Sequence, residues 1–567
     1  MALIGIDLGT TNSLIAHWEN EAAILIENSL SQTTTPSVVG LNDDGQVIVG
    51  EVARQRLLTH PQLTAAEFKR YMGTNKVFTL GKKKFRAEEL SALVLKSLIA
   101  DAESLFGEKI ESAVISVPAY FSDAQRKATR DAGRLAGIDV KRLINEPTAA
   151  AIAYGIHEKE EDTTFLVFDI GGGTFDVSIL ELFEGVMQVN STSGDNRLGG
   201  EDFVDALAND FIESNKIQRK HLSLNDLAAI RSACELCKRN LSAGPSATIQ
   251  FTDKKEKVYT STIDRSHFEK VSSELLKRLR LPLERALKDA SLHGEDLDAV
   301  ILVGGASRMP SVRSLVSKML GQIPRSHINP DEIVALGAAV QAALLANDRS
   351  LSEVVLTDVA PYTLGVGVVN ETGFQESGDL FHPIIDRNSP IPISRMDNLT
   401  TARDYQTTLT IPIFQGEARL VRDNIQLGEL SLKIPRARKG EESIDVRFTY
   451  DISGLLEVEA KVASTGIAER VIIEGNPGTL TEKEIEQKLE ALDKLKIHPR
   501  EQTANALLLA RGARLYETTS LELRQYISNL ISQFEESLKR QVPSEIEELA
   551  TEINEIFDQI EKDSPLY

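Results

Sequence analysis

The stretch that decides the fold is residues 168–178, which have the sequence FDIGGGTFDVS. An apolar strand ends at Asp169, and after Ile170 comes a turn of three glycines and Thr174. Residues 6–12 (IDLGTTN) repeat this order of strand, aspartate (here Asp7) and Gly/Thr turn. Glycines let backbone N–H groups approach phosphate oxygens, and threonine hydroxyls add further donors. The two turns therefore predict a phosphate site built from two related lobes.

Two more glycine turns support this interpretation, at residues 198–202 (LGGED) and 303–308 (VGGASR). Any one of these turns would be a weak signal, but all of them together indicate a nucleotide held between two lobes. The sequence has neither a P-loop motif nor a G-x-G-x-x-G turn after a strand, which disfavours P-loop NTPases and dinucleotide-dependent dehydrogenases. Because Asp7 and Asp169 are anions, we expect them to hold Mg²⁺ through its waters rather than to contact phosphate.

Composition narrows the function classes. The chain has 567 residues, a net charge of −21 and only two cysteines. An acidic surface repels phosphate backbones and anionic lipid, and so few cysteines exclude a disulfide framework. No apolar run approaches the roughly 18 residues of a membrane span. We therefore expect a cytoplasmic protein whose partners include neither nucleic acid nor membrane.

Strand and helix patterns alternate over roughly the first 345 residues, which is typical of an α/β fold. Beyond them, apolar residues alternate with polar ones, as at Leu409, Ile411 and Ile413, and this pattern predicts a β-sandwich-like domain. The last part of the chain carries apolar residues at helical spacing, as at Ile553, Ile556 and Ile560.

The glycine motifs, read in order, resemble the signatures of the DnaK-type 70-kDa heat-shock chaperone family. Residues 142–151 (RLINEPTAAA) and 303–310 (VGGASRMP) carry the resemblance together with the two aspartate turns. The similarity continues through the linker and the β domain, so it covers almost the whole chain. The compact first lobe and the short C-terminus look most like the specialised HscC-type branch.

The resemblance implies an architecture and an activity. It implies an actin-like α/β ATPase domain of two duplicated lobes over residues 1–350 and an interdomain linker over 351–360. A β-sandwich peptide-binding domain over 361–478 and a short α-helical lid over 479–567 would follow. The implied function is that of an ATP-dependent molecular chaperone: ATP opens the β groove, and hydrolysis to ADP and phosphate closes it on an extended hydrophobic segment of an unfolded client.

The resemblance also implies site residues and cofactors. Lys69, Glu146, Asp169, Thr174 and Asp176 match the catalytic residues, and a lysine over the γ-phosphate would stabilise spreading negative charge. The cofactors would be ATP/ADP and Mg²⁺, with K⁺ as a further candidate. The other nucleotide-binding matches are Asp7, Gly9, Thr10, Thr11, Asn12, Gly171, Gly172, Gly173, Gly199, Gly200, Glu201, Glu235, Lys238, Arg239, Ser242, Gly304, Gly305, Ser307, Arg308 and Asp331.

Several of these residues also have plainer interpretations. Glu235, Lys238, Arg239 and Ser242 share one helix face and would clasp one ligand, but the charged ones could equally form surface ion pairs. Cys234 and Cys237 would be packed thiols, because a single C-x-x-C pair cannot build a four-ligand zinc site. By pattern alone, Lys69 is a solvated surface charge.

Groove and coupling residues follow from the same resemblance. The peptide groove would be lined by Val366, Val368, Val369, Leu399, Ala402 and Leu409, although the sequence pattern alone would place them in the sandwich core. Interdomain coupling would depend on Pro118, Arg126, Arg142, Leu356 and Asp358. Arg142 and Asp358 also match positions contacted by a J-domain co-chaperone. The segment 248–263 is shorter than the family's usual segment at the place where nucleotide-exchange factors bind, so the need for such a partner stays open.

Two other functions use the same ATPase fold. An actin-like filament protein would leave the C-terminal 200 or so residues unexplained. A small-molecule kinase would transfer phosphate to a sugar or an acid rather than to water. Sedimentation with ATP tests the first alternative, and an acceptor screen tests the second.

Overall fold

The computed structural model describes residues 3–562 apart from a set of gaps: 43–44, 158–162, 184–185, 326–328, 347–354, 371–376, 452–455, 474–504, 506–507, 510, 513–514, 517–520 and 541. The first part of the predicted lid, 479–504, lies outside the described residues. The chain forms two compact units. The N-terminal unit comprises Met1–Tyr362 and Arg387–Ile391, and the C-terminal unit comprises Thr363–Asp386 and Pro392–Tyr567.

Two larger sheets organise the N-terminal unit. The first has the spatial order Asp139–Asn145, Ser112–Val117, Ile4–Asp7, Asn12–Glu19 and Ala22–Leu25, with Thr35–Pro36 paired to Asn12–Glu19. The second has the order Ala299–Val303, Thr163–Ile170, Phe175–Phe183, Val186–Asp195, Val355–Val359 and Pro390–Ile391. In each sheet, the strand that carries the turn aspartate has a parallel neighbour on one side and an antiparallel neighbour on the other. The two Gly/Thr turns therefore occupy equivalent places in the two sheets.

Helices and small sheets complete this unit. Its α-helices are Glu51–Thr59, Ala87–Phe106, Asp123–Ala136, Glu146–His157, Gly200–Ser214, Leu224–Ala243, Arg265–Val271, Ser273–Asp289, Pro310–Leu320 and Ile333–Leu345. Short 3₁₀ helices are Pro61–Leu63, Phe68–Tyr71, Arg219–His221, Gly294–Asp296 and Gly305–Arg308. The small sheets pair Val39–Leu41 with Val47–Val49 and Thr64–Ala65, Val77–Leu80 with Lys83–Arg86, and Ser246–Thr252 with Val258–Asp264.

One apolar helix, Ile333–Leu345, determines how closely the site elements approach each other. A Cβ on Gly5 would lie 2.1 Å from the backbone nitrogen of Ala339 in this helix. A Cβ on Gly337 would lie 1.8 Å from the carbonyl oxygen of Ala149. Only glycine therefore fits at either contact, since no Cβ atom can stand so near a backbone atom. The helix thus packs directly on the strand that ends at Asp7 and on the helix Glu146–His157.

The predicted linker contains a strand of the N-terminal unit. Val355–Val359 pairs in parallel with Val186–Asp195, with Leu356 opposite Met187, and its end pairs with Pro390–Ile391. The side chain of Leu356 lies outside the described part of the structure. The backbone of the linker therefore extends the second sheet.

The C-terminal unit contains two four-stranded antiparallel sheets. Their spatial orders are Ser377–Ile385, Leu364–Asn370, Thr408–Gln415 and Ile425–Lys433, and then Ile393–Thr400, Ser443–Tyr450, Leu456–Val462 and Ala468–Ile473. The 3₁₀ helix Val421–Asp423 and the α-helices Leu521–Arg540 and Pro543–Lys562 are also described. The predicted alternation is confirmed where Ile444 and Val446 are fully buried between half-buried neighbours. Across the described residues, we find no helix both long and apolar enough to span a bilayer.

Replacing Gly337 with alanine tests the packing of this helix. The added methyl group meets backbone rather than a flexible side chain, so we expect a loss of at least about 2 kcal/mol in the stability of the N-terminal unit. Fluorescence of Trp18, the single tryptophan, reports on this unit because it lies in the strand Asn12–Glu19. Gly244→Ala is the matched control, since its Cβ would lie 3.5 Å from the nearest atom. Equal urea midpoints for the two variants would contradict the packing argument.

Candidate functional site

A cavity of about 520 Å³ in the N-terminal unit brings together most of the predicted nucleotide residues. Those that line it are Asp7, Gly9, Thr10, Thr11, Asn12, Lys69, Glu146, Asp169, Gly171, Gly172, Thr174, Gly200, Glu201, Glu235, Lys238, Arg239, Ser242, Gly304, Gly305, Arg308 and Asp331. Residues far apart in the chain thus share one site, and all four predicted glycine turns contribute to its lining.

The Gly/Thr turns fit a phosphate group on two observations. A Cβ on Gly172 would lie 1.9 Å from Thr11 Oγ1, so the two turns meet with no space for a side chain between them. The hydroxyl of Thr11 is buried and has no hydrogen-bond partner among the described residues. A buried polar atom without a partner is costly unless a ligand or water supplies one. A phosphate oxygen would satisfy this hydroxyl.

Three of the predicted nucleotide-binding residues, Gly173, Gly199 and Ser307, do not line the cavity. Ser307 is fully buried and its hydroxyl donates to the carbonyl of Gly304 at 2.7 Å. A Cβ on Gly199 would lie 2.4 Å from the backbone nitrogen of Gly173, so these glycines pack against each other. All three therefore lie behind the lining residues in this structure, and their role as direct nucleotide contacts stays a prediction.

Buried charge dominates one end of the cavity. Lys69 lies in the 3₁₀ helix Phe68–Tyr71, is 3% exposed, and donates to Glu146 Oε1 at 2.7 Å. The interpretation of Lys69 as a solvated surface charge is therefore wrong. Glu146 begins its helix directly after the strand Asp139–Asn145, which places the carboxylate at the carboxyl edge of the first sheet. The ion pair links two segments 77 residues apart.

Three aspartates share this region with the ion pair. Burial, followed by repulsion from Glu146, raises the pKa of Asp7 to about 7 and that of Asp176 to about 8. The same causes raise the pKa of Asp169 well above its usual value. Ser116 donates to Asp7 Oδ1 at 2.7 Å, and the backbone N–H of Tyr120 donates to Asp176 Oδ1 at 3.1 Å. Asp176 does not line the cavity, unlike the other two aspartates.

The helix Leu224–Ala243 presents the other predicted set to the cavity. Glu235 forms ion pairs with Lys238 Nζ and with Arg239 Nε, each at 2.6 Å. Lys238 Nζ also donates to the carbonyl of Gly200 at 3.1 Å. The ion-pair interpretation and the ligand-clasp interpretation are therefore compatible, because the pairs themselves form part of the cavity wall.

The two cysteines of this helix pack behind the cavity. Cys234 and Cys237 are almost fully buried, and burial raises the pKa of these thiols to about 12 and about 11. They are therefore protonated packing groups at neutral pH, as predicted.

Sequence reasoning missed several lining residues. They are Leu14, Thr34, Arg54, Val303, Ala306, Met309, Pro330 and Val334. Arg54 projects from the helix Glu51–Thr59 and pairs with Glu51 at 2.6 Å. No motif marks Arg54 or Thr34, whereas Leu14 and Met309 lie at the ends of motifs that were recognised.

A hydrogen-bonded chain joins this site to the linker strand. Arg126 Nη2 donates to Asn145 Oδ1 at 2.6 Å, and Asn145 Nδ2 donates to Asp358 Oδ2 at 2.8 Å. Burial raises the pKa of Asp358 and lowers that of Arg142, and each charge partly offsets the shift of the other. Asn145 directly precedes Glu146, so one peptide bond separates the linker contact from the partner of Lys69.

The predicted groove residues differ in exposure. Val366 is fully buried, and its register neighbours are Ile413 and His382. The others, which are Val368, Val369, Leu399, Ala402 and Leu409, are half-buried. Leu409 differs in this from Ile411 and Ile413, which are buried core residues of the same strand. Val366 is therefore a core residue in this structure, contrary to its predicted place in the groove lining.

Comparisons with known proteins match nearly the whole chain to one family. A family model described as Hsp70 protein matches residues 3–565. The chain is 39% identical to a chaperone protein DnaK of Thermosipho melanesiensis over 99% of its own length and 93% of the relative's. It is 38% identical to a chaperone protein DnaK of Trichormus variabilis, over 100% and 87% of the two lengths. A chaperone protein dnaK3 of Thermosynechococcus vestitus is 40% identical, over 96% and 84%.

The raised pKa of Asp7 leads to a prediction about pH. Its pKa is about 7 in the folded protein, against 3.8 for an ordinary aspartate. Between these values the folded state binds more protons than the unfolded chain, so this group makes stability fall as pH rises through that window. Without nucleotide and metal, the unfolding free energy of Asp7→Asn relative to that of wild type should increase by roughly 1–3 kcal/mol as pH rises from about 5 to about 8.

Urea unfolding followed by Trp18 fluorescence at both pH values measures this gain. Asp139→Asn, at an exposed aspartate of the same sheet, is the matched control and should track wild type. A parallel pH response of Asp7→Asn and wild type would show that Asp7 is not a costly buried charge.

Proposed function

This chain belongs to the Hsp70 protein family, and we propose that ATP hydrolysis in its N-terminal unit controls peptide binding in its C-terminal unit. It is an ATP-dependent molecular chaperone, an ATPase that uses a divalent metal and binds unfolded client peptides. The observation that carries the proposal is the meeting of the two Gly/Thr turns beside the buried pair of Lys69 and Glu146. Relatives named DnaK do not decide the HscC-type branch, which stays a prediction.

Lys69 would be the catalytic cation. γ-Phosphoryl transfer to water needs positioning and charge stabilisation rather than covalent help. Glu146 holds the ammonium of Lys69 at 2.7 Å, so the cation is fixed before the reaction begins. Thr10, Thr11 and Thr174 supply hydroxyl donors around the same end of the cavity. Preorganised donors of this kind stabilise the charge that spreads over the phosphoryl oxygens.

The carboxylates fit a divalent ion held beside the phosphates. Asp7 and Asp169 line the cavity, and their raised pKa values indicate buried charge without enough cations nearby. Mg²⁺ would supply charge neutralisation for the β- and γ-phosphates. Oxygen ligands and retained waters are what this ion prefers, and K⁺ would bind similar oxygens less strongly.

The nucleoside would lie at the other end of the cavity. Glu235, Lys238, Arg239 and Ser242 form one wall there. Arg308 donates to Asp331 Oδ2 at 2.7 and 3.2 Å, and both residues line the cavity beside the turn of Gly304 and Gly305. The fixed guanidinium offers a flat face on which a base can stack.

Two units in one chain favour the chaperone over the two alternatives. A filament protein or a small-molecule kinase uses the ATPase fold alone, whereas this chain carries a β-sheet unit and helices after it. An extended peptide suits a strand-lined groove, because main-chain hydrogen bonds give affinity and a pocket gives selectivity. We place this groove beside the half-buried residues Val368, Val369, Leu399, Ala402 and Leu409.

The linker strand would couple the two activities. Val355–Val359 lies in the second sheet, and Asp358 is bonded to Asn145 next to Glu146. In a two-state element, ATP would favour this docked strand, and hydrolysis would favour its release. Arg126 donates to Asn145, and the charges of Arg126 and Arg142 act on Asp358. A J-domain co-chaperone acting at Arg142 and Asp358 would bias the same equilibrium, in the cytoplasm, and an exchange factor stays an open partner.

Lys69→Ala tests the catalytic assignment. ATP binding should persist, while single-turnover hydrolysis falls by about 10²-fold or more, because the lysine acts on the transition state. Calorimetry measures binding, and rapid quench measures hydrolysis. Lys84→Ala, at an exposed lysine of the strand Lys83–Arg86, serves as the control. A rate within threefold of wild type would remove Lys69 from catalysis.

Asp358→Asn tests the coupling and the chaperone function together. Coupling free energies of about 1–3 kcal/mol are typical, so ATP should accelerate peptide release about 5–150-fold in the wild type. The substitution removes the charge that faces Arg126 and Arg142, and most of this acceleration should be lost. Release of a fluorescent hydrophobic peptide, with and without ATP, measures it. The control Asp423→Asn lies on the C-terminal unit and should keep the acceleration.

Undiminished acceleration in Asp358→Asn would contradict the docked-linker proposal. A wild-type protein that hydrolyses ATP but neither binds the peptide nor releases it on ATP addition would contradict the chaperone proposal itself.

A further inference from the structure

A four-residue turn at residues 118–121 lies between the catalytic residues and the segment just after the linker. The turn follows the strand Ser112–Val117 and closes with a hydrogen bond from the N–H of Phe121 to the carbonyl of Pro118 at 3.2 Å. Its residues contact the cavity wall on one side and Tyr362 on the other. Any shift of the turn is therefore felt on both sides.

On the cavity side, the turn contacts two of the residues assigned to catalysis. The backbone N–H of Tyr120 donates to Asp176 Oδ1 at 3.1 Å. The ring of Phe121 lies 5.6 Å from Lys69 Nζ, in the geometry of a cation–π contact. Asp176 is 1% exposed and does not line the cavity, so its carboxylate faces the turn rather than the nucleotide.

On the far side, Tyr362 holds the same turn. Its hydroxyl donates to the carbonyl oxygen of Tyr120, and the two rings lie 4.4 Å apart between centroids. Asn196 Nδ2 donates to the same carbonyl at 2.5 Å. Burial raises the pKa of the Tyr362 phenol well above its usual value, so the hydroxyl stays protonated as a donor. Tyr362 follows the linker strand by three residues and belongs to the N-terminal unit.

We propose that Tyr362 is a positioning residue for ATP hydrolysis, which holds Tyr120 and thereby keeps Asp176 turned away from the cavity. The inference rests on the proposed function and names a further residue of the same site. While the linker strand is docked, the hydroxyl of Tyr362 fixes the carbonyl of Tyr120, and the N–H of the same residue fixes the carboxylate. When the contact between Tyr362 and Tyr120 is lost, the carboxylate is free to turn toward the attacking water. Tyr362 therefore restrains hydrolysis for as long as it holds Tyr120.

Tyr362→Phe removes one hydroxyl and keeps the ring contact with Tyr120. Single-turnover hydrolysis by the full-length protein, without peptide, should become about 3–10-fold faster. ATP affinity should stay within twofold, because no atom of Tyr362 lines the cavity. Asn196→Ala removes the other side-chain donor to the same carbonyl and should also accelerate the reaction. Tyr526→Phe, at an exposed tyrosine of the helix Leu521–Arg540, is the matched control.

A double-mutant cycle separates positioning of Asp176 from simple undocking of the linker. In an Asp176→Asn background, Tyr362→Phe should lose its effect, because the group it acts through is gone. ATP-accelerated peptide release should persist in Tyr362→Phe, since the contact between Asn145 and Asp358 is intact. An unchanged or slower rate, or an acceleration that survives in the Asp176→Asn background, would overturn the inference. A wild-type protein without ATPase activity would instead overturn the proposed function.

Discussion

The charge imbalance around Lys69 is the constraint on which the rest of the site depends. One buried ammonium faces the carboxylates of Glu146, Asp7, Asp169 and Asp176, and burial, followed by repulsion from Glu146, raises the pKa values of the three aspartates. A nucleotide brings further negative charge into the same cavity, which no arrangement of these side chains alone would accept. The site is therefore built for a ligand that carries its own divalent cation, and the protein without it holds an electrostatically costly cavity. Function and stability oppose each other at these residues.

This cost requires a scaffold that does not yield, and the glycine contacts of the helix Ile333–Leu345 supply it. The helix touches the strand of Asp7 through Gly5 and the helix of Glu146 through Gly337 at distances that exclude any Cβ atom. Repulsion between the carboxylates would spread more loosely packed elements apart. Backbone packed on backbone has little room to relax, because the chain cannot rotate out of the way as a side chain does. The strand of Asp7 and the helix of Glu146 are thus held in place against the repulsion between their carboxylates.

Local sequence patterns were enough to predict the Gly/Thr turns, their aspartates and the alternating strands, since each depends on residues a few positions apart. Contacts between distant segments were not predictable in this way. Arg54 and Thr34 carry no motif, and their place in the cavity arises from how the strands and helices pack. The glycine signature did not predict that Gly199 packs directly against Gly173. A glycine turn indicates that the backbone approaches another group closely. Only the fold shows whether that group is a ligand or another segment of the chain.

Because Asn145 and Glu146 are adjacent, the coupling proposed above would need no long pathway. Asn145 binds Asp358 of the linker strand, and the next residue binds Lys69 inside the cavity. Because two neighbours on one backbone cannot move independently, docking of the linker and the position of the lysine's partner are parts of one structural state. A change at either end needs to shift this strand end by only a fraction of an ångström to be felt at the other, since packed elements switch between discrete arrangements rather than deform continuously. The linker strand is thus part of the second sheet, and its contact with Asn145 lies one residue from the site.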